Sequence, residues 1–184
     1  MTNTIKYSLG VLGLLIILFL TNQRSQNSYK IEGESIYTGS DDNVHRILFT
    51  ETDKMLELVR SDTTWGITQA DSFEVKENQI EKIFDRLLKV EQEMLISSKP
   101  EKWSKFGVDD SLGRHLRIFD KNDNELLHYI FGNSGQDFQH NYIRKNKSND
   151  VYRTNDNVYF LLNTNTTYWG KKPTPPEPEM EVEN

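Results

Sequence analysis

An uninterrupted apolar run close to the N-terminus constrains this chain more than any other feature. Leu9–Leu20 reads LGVLGLLIILFL and lies inside a longer stretch, Tyr7 to Gln23, that carries no charge. Lys6 precedes the stretch and Arg24 comes directly after it. A helix over Tyr7–Gln23 would be roughly 26 Å long at about 1.5 Å per residue, against a hydrocarbon thickness of about 30 Å. It can span if Lys6 and Arg24 reach outward to the headgroups. A buried core helix at the extreme end of a soluble chain would need a polar face, and this run has none. Two exported readings remain, a cleaved leader and an uncleaved signal anchor. A leader needs a small-x-small cleavage site, but the run ends Phe19-Leu20-Thr21-Asn22-Gln23 and contains no alanine. The anchor is therefore the expectation: residues 7–23 in lipid, a single pass through the cytoplasmic membrane, and the C-terminal domain in the periplasm or extracellular. The flanking charges are nearly balanced and orient the span only weakly. Export of the remainder is expected because the chain has no second apolar run of that length.

Beyond the run the chain is polar. Mean hydropathy over the whole chain is −0.70. Lys and Arg number 22 against 28 Asp and Glu, a net charge of −6. With no dense basic block, the chain lacks the clustered cations that neutralise phosphates, so no nucleic-acid partner is expected. There is no cysteine, which excludes disulfides, thiolate metal sites, a thiol nucleophile and a lipidated cysteine. Aromatic residues make up 11%, enough to build a core from large side chains.

Along the chain, residues 1–24 read as the anchor. Residues 25–44, rich in Ser, Asn and Gly, read as a tether, with a short extended piece around Ile31–Tyr37. Residues 45–170 read as the folded domain. Residues 171–184 (KKPTPPEPEMEVEN) hold four of the five prolines and read as a disordered Pro/Glu tail. Within the domain, His45–Thr50, Met55–Arg60 and Trp65–Ile67 alternate in the manner of a small antiparallel meander. Ile80, Ile83, Phe84, Leu87, Leu88 and Val90 recur at helical spacing and predict one long amphipathic helix over Lys76–Glu93. Glu101–Val108 reads as a short helical turn with Trp103 and Phe106 tucked in. His115–Asp120, Leu126–Phe131, Asn141–Lys145, Asp150–Arg153 and Asn157–Leu162 read as further strands. The order strands, helix, strands predicts an α+β domain: a mostly antiparallel sheet with the helix packed on it.

The order of landmarks is informative. Leu56 to Trp65 is a hairpin strand running into a tryptophan, and the amphipathic helix comes next. Then come Phe106-Gly107-Val108, a strand closed by Ile130-Phe131-Gly132, the step Tyr142-Ile143-Arg144, and Val151-Tyr152. Over residues 45–165 this series resembles an uncharacterised bacterial family, domain of unknown function 4340. The resemblance implies an exported, membrane-tethered domain, and some relatives are associated with ABC-transporter systems and with gliding-motility auxiliary components. It implies no catalytic residue and no cofactor.

The candidate chemistry is sparse. His115 and His128 fall on neighbouring strands, whereas His45 and His140 stand apart. A zinc site would need a third ligand and a second shell, and no HExxH occurs, so no metal is expected. Asp109-Asp110 could serve as acid and base, but adjacent loop acids point apart and read better as turn formers. Gly132-Asn133-Ser134-Gly135 lacks the Lys and Ser/Thr of a phosphate loop, and Gly-x-Ser-x-Gly is missing. Arg144, flanked by Tyr142 and Ile143, and Tyr142 itself are the candidate contacts to a partner or ligand. Trp65, Trp103, Tyr142, Tyr152, Tyr159 and Trp169 would form a glycan-binding strip if they shared an exposed face. The expectation is a non-enzymatic accessory or interaction protein of a bacterial envelope complex, with an envelope protein such as an ABC transporter as partner. The alternatives are an anchored glycan- or small-ligand-binding module and, more remotely, an envelope hydrolase.

Overall fold

The computed structural model describes residues 10–19, 33–134 and 137–173. Residues 10–19 form helix α1. Eight of its apolar side chains, Val11, Leu12 and Leu14 through Phe19, are 51–65% exposed. No helix among the described residues is long and apolar enough to cross a membrane. The expected span 7–23 runs past both ends of α1 and lies partly outside the described residues, as does nearly all of the tail.

The domain is built on nine antiparallel strands, of which Lys54–Ser61 shows the alternation of buried and more exposed side chains most clearly. They are β1 (Glu34–Ser35), β2 (Arg46–Glu51), β3 (Lys54–Ser61), β4 (Thr64–Ile67), β6 (Glu91–Ser97), β7 (Arg114–Phe119), β8 (Glu125–Ser134), β9 (Asn141–Lys145) and β10 (Val151–Thr154). Their order across the sheet is β1-β6-β10-β9-β8-β7-β2-β3-β4. A two-stranded piece, β5 (Glu74–Val75) with β11 (Gly170–Lys171), stands apart. The α+β expectation of a mostly antiparallel sheet holds. Rows of cross-strand partners line one face. Leu56, Phe49, Leu116 and Tyr129 form one row, and Leu58, Ile47, Ile118 and Leu127 form the next. Most of these side chains are fully buried, and they make up the main core.

The helix over that face is shorter than the expected 76–93. Helix α2 covers Glu77–Lys82 and continues as a wide π turn over Ile83–Leu87, in which Leu88 N–H donates to the Ile83 carbonyl at 2.9 Å. The wide turn points both Leu87 and Leu88 into the core. The chain then leaves the helix because other partners take its backbone. The Val90 carbonyl accepts from Ile36 N–H (3.0 Å), and Asn155 exchanges two hydrogen bonds with Glu91. The sequence 91–97 becomes β6, joined to β1 and β10. Residues 34–36, expected in the tether, thus belong to the domain, with Ile36 buried.

Asn157–Leu162 is likewise not a strand. It makes a 3-10 turn at Tyr159–Leu161, pinned by buried Asn141, whose side-chain oxygen accepts from Val158 N–H (2.7 Å) and Tyr159 N–H (3.0 Å). Helix α4 (Thr166–Trp169) then places Trp169 flat on Phe49, with ring centroids 5.2 Å apart.

Candidate functional site

The opposite face of the sheet carries the two residues singled out from sequence. A 3-10 turn at Pro100–Lys102 leads into helix α3 (Trp103–Phe106). Gly107 ends α3 in the left-handed conformation (φ 64°), which favours a residue without a Cβ. Val108 can then drop onto Ile130 and Val151, forming a small second core. Gly132 allows this approach, because a Cβ there would come within 1.9 Å of the Phe106 carbonyl oxygen. The two glycine landmarks of the sequence therefore meet in space.

Arg144 lies beneath this layer, 1% exposed. Its Nε donates to the Val108 carbonyl (2.9 Å) and its Nη1 to the Ser148 carbonyl (3.4 Å), while Nη2 pairs with the Asp110 carboxylate. The guanidinium also lies 3.8 Å from the centre of the Trp103 ring. Every edge of the fork is engaged by its own chain. Tyr142 is half-buried against Phe106, 4.9 Å between ring centres. Both residues hold the α3 layer to the sheet. The six aromatics do not form one strip: Trp103 and Tyr142 belong to the second core, whereas Trp65, Tyr152, Tyr159 and Trp169 pack with the main one.

Asp109 and Asp110 diverge. Asp109 Oδ1 accepts from Ser111 and Leu112 N–H. Burial pushes its carboxyl upward, but these bonds and the Ser111 hydroxyl outweigh burial and hold it below the usual carboxylate range. Asp110 pairs with Arg144, and its own carbonyl lies 3.1 Å from His115 Nε2.

That contact orients the one histidine pair. With His115 Nε2–H donating to Asp110, His115 Nδ1 carries a lone pair and accepts from His128 Nε2–H at 3.0 Å. His128 Nδ1 then faces Glu125 at 3.9 Å, and Glu125 also holds Arg117 at 2.7 Å. Burial pushes the His128 imidazole below its ordinary value; the neighbouring His115 and Arg117 charges add to this, and Glu125 and Asp110 oppose it. His45 and His140 lie elsewhere, the latter bonded to Asp137 at 2.6 Å. No group of three or more potential ligands that could hold a metal ion occurs among the described residues.

Two surface hollows combine residues singled out from sequence, Trp65 and Tyr159, with others that sequence reasoning passed over. A cavity of about 380 Å³ and an adjoining one of about 270 Å³ lie between β4 and α2, sharing Trp65, Ile80 and Glu81. Elsewhere, a groove of about 440 Å³ is lined by residues that include Arg114, Asn157, Asn163, Tyr159, Phe160 and Tyr168. Arg114 Nη1 donates to the Tyr159 carbonyl (3.2 Å), and its Nη2 pairs with Glu51 (2.9 Å). No local sequence signal announces either hollow, because their walls come from segments distant in the chain.

A family model described as Domain of unknown function (DUF4340) matches residues 65–179, well over half of the chain. The match begins at Trp65 and takes in the helix, both glycine landmarks and the strands that carry Tyr142 and Arg144. No curated protein and no solved structure matches the chain.

Proposed function

We propose, from the premise that the chain belongs to the DUF4340 family, that it is a non-enzymatic accessory protein of a bacterial envelope complex. Its N-terminal segment is held in the cytoplasmic membrane, and its domain stands on the outer side. The observation that carries this reading is α1. Its apolar side chains cover every side of the helix and are more than half exposed. A helix that is apolar all round requires a buried or lipid environment, since each exposed apolar Å² costs about 25 cal/mol in water. The uncharged stretch Tyr7–Gln23 has, as a sequence, nearly the number of residues that a spanning helix needs. A domain whose candidate arginine and tyrosine serve its own packing fits a protein that acts through surfaces rather than through chemistry. The partner in this reading is an envelope protein, with an ABC transporter as the first to examine.

Alkaline extraction of membranes followed by protease treatment of intact spheroplasts tests the placement. The full-length chain should stay with the membrane and be digested from outside. Recovery of the intact chain in the soluble fraction overturns it. Crosslinking before mild detergent extraction tests the role, and a chain that is always recovered alone counts against it.

A second reading, an anchored small-ligand or glycan module, draws on the groove beside Arg114, where amides and aromatic rings line one hollow and Phe160 is 45% exposed. Titration with neutral oligosaccharides would support it only if Phe160→Ala lowered the affinity.

A further inference from the structure

The sheet ends at β4, which is paired on one side only, with β3. In the ladder Trp65 lies opposite Arg60, and Arg60 N–H donates away from β4, to the His45 carbonyl at 2.8 Å. Hydrogen-bonded and non-hydrogen-bonded pairs alternate in an antiparallel ladder. Trp65 therefore directs its own N–H and C=O outward, over the open edge. Among the described residues no main-chain bond outside the strands takes them up.

The hollow beside this edge has an apolar floor and acidic walls. Trp65 and Phe84 form the floor, with ring centres 6.0 Å apart and tilted by 51°, and Ile80 lines the same hollow. Asp41, Glu77 and Glu81 stand on the rim. Arg60, which also lines the hollow, pairs there with Asp42 (3.6 Å), and Lys89 pairs with Asp85 (3.5 Å). No ion pair among the described residues reaches Asp41, Glu77 or Glu81. An aromatic floor under acids that outnumber the one arginine in the lining favours a cation carried on an aliphatic stem, because the ring quadrupole and the acids attract the charge while the stem covers the rings.

We propose that β4 and this hollow dock an extended, basic segment of a partner protein. The segment's main chain joins the sheet as a further strand through the Trp65 N–H and C=O. A lysine or arginine side chain of the segment lies over Trp65 and ends between Glu77 and Glu81. The proposal rests on reading the chain as an interaction module and specifies the surface and the chemistry of what it binds.

The test uses the full-length chain in detergent and a fluorescently labelled peptide of alternating valine and lysine, followed by anisotropy. The peptide should bind, and its glutamate-for-lysine analogue should not. Affinity should fall at least tenfold in the double variant E77K/E81K and should weaken as salt rises. Both glutamates are exposed, so the variant keeps its fold, which far-ultraviolet circular dichroism verifies. Equal binding by wild type and variant overturns the proposal, as does failure of the lysine peptide to bind. Self-association of the chain that E77K/E81K abolishes assigns the edge to a second copy and also overturns it. Loss of peptide binding while an envelope partner still co-purifies removes this surface and leaves the proposed role standing. Loss of membrane attachment with peptide binding intact does the reverse.

Discussion

The two faces of the nine-stranded sheet are sealed by different means. On one face, rows of aliphatic side chains run across the strands and are closed by α2 and the Val158–Trp169 segment. On the other, three small buried residues, Val108, Ile130 and Val151, suffice because a guanidinium and two glycines bring the α3 layer down. The first face gains its stability from area removed from water, which is nondirectional and tolerates repacking. The second depends on a few directed contacts and on space for backbone. The difference explains why an arginine can be among the most buried side chains of a polar domain while Asp110, its ionic partner, is 70% exposed. The pair secures the rim of the layer, and the buried end of the guanidinium is satisfied by carbonyls.

The largest expected effect tests the aliphatic face. Trp169→Ala removes a fully buried ring stacked on Phe49 and should cost about 3–5 kcal/mol, read as a lower denaturant midpoint. If instead the loss is below about 1 kcal/mol, the C-terminal segment does not close the core. The next tests the tight approach on the other face. Gly132→Ala places a methyl group against the Phe106 carbonyl, and the backbone must move. A cost of up to about 3 kcal/mol is expected, accompanied by faster hydrogen exchange confined to residues 100–108. A uniform rise in exchange over both faces would deny the two layers their separate character.

The contrast also governs what the sequence disclosed. The aliphatic face was legible in the alternation of Ile47 and Phe49, of Leu56 and Leu58, and of Leu116 and Ile118, because burial on one side of a strand imprints period two. The helical stripe from Ile80 to Leu88 was legible for the same reason, but its end was not. Glu91–Ser97 leaves Met94 and Leu95 exposed and shows no alternation, and the contacts that make it a strand come from Ile36 and Asn155, far away in sequence. Val158, Leu161 and Leu162 are apolar enough to imitate a strand. Their turn is imposed by the Asn141 side chain, which no local pattern reveals. Phe106-Gly107-Val108 and Phe131-Gly132 stood out as family landmarks, yet only the fold shows that they touch. Arg144 illustrates the same limit at the site. An arginine that follows an aromatic and an aliphatic residue on a strand reads equally as an edge charge, an internal ion pair or a contact to a partner, and only the arrival of the carbonyls of Val108 and Ser148 decides for the interior.

Arg144→Met sharpens the comparison at intermediate size. The methionine fills much of the space but leaves the Val108 carbonyl without its donor, and an unsatisfied buried acceptor costs about 1–3 kcal/mol. Asp110→Asn keeps the carbonyl bonds and loses only a largely exposed partner, so the change should stay below about 1 kcal/mol. Equal losses in the two variants would mean that the ion pair, rather than the carbonyl contacts, secures the layer.

The smallest effect belongs to the histidine pair at the boundary of the second core. His128 titrates below its ordinary value in the folded chain because it is buried beside His115 and Arg117, so the unfolded chain takes up its proton first as pH falls. Stability from this group is therefore constant above neutral pH. It declines as pH drops through about 6.5, the unfolded value, toward the lower folded value. The geometry adds a reason. His115 Nε2–H is committed to the Asp110 carbonyl and the inner bond already holds one hydrogen. A proton can enter His128 only at Nδ1, where burial beside His115 and Arg117 opposes it and Glu125 offsets this only in part. Measured between pH 7.5 and 5.5, above the range where the carboxylates titrate, the denaturant midpoint should fall slightly in the wild type. In His128→Gln, which can still donate to His115 but carries no titrating ring, the fall should be smaller. An identical slope in both would assign the pH response to groups outside the pair and leave the charged half of this face without a part in holding the α3 layer.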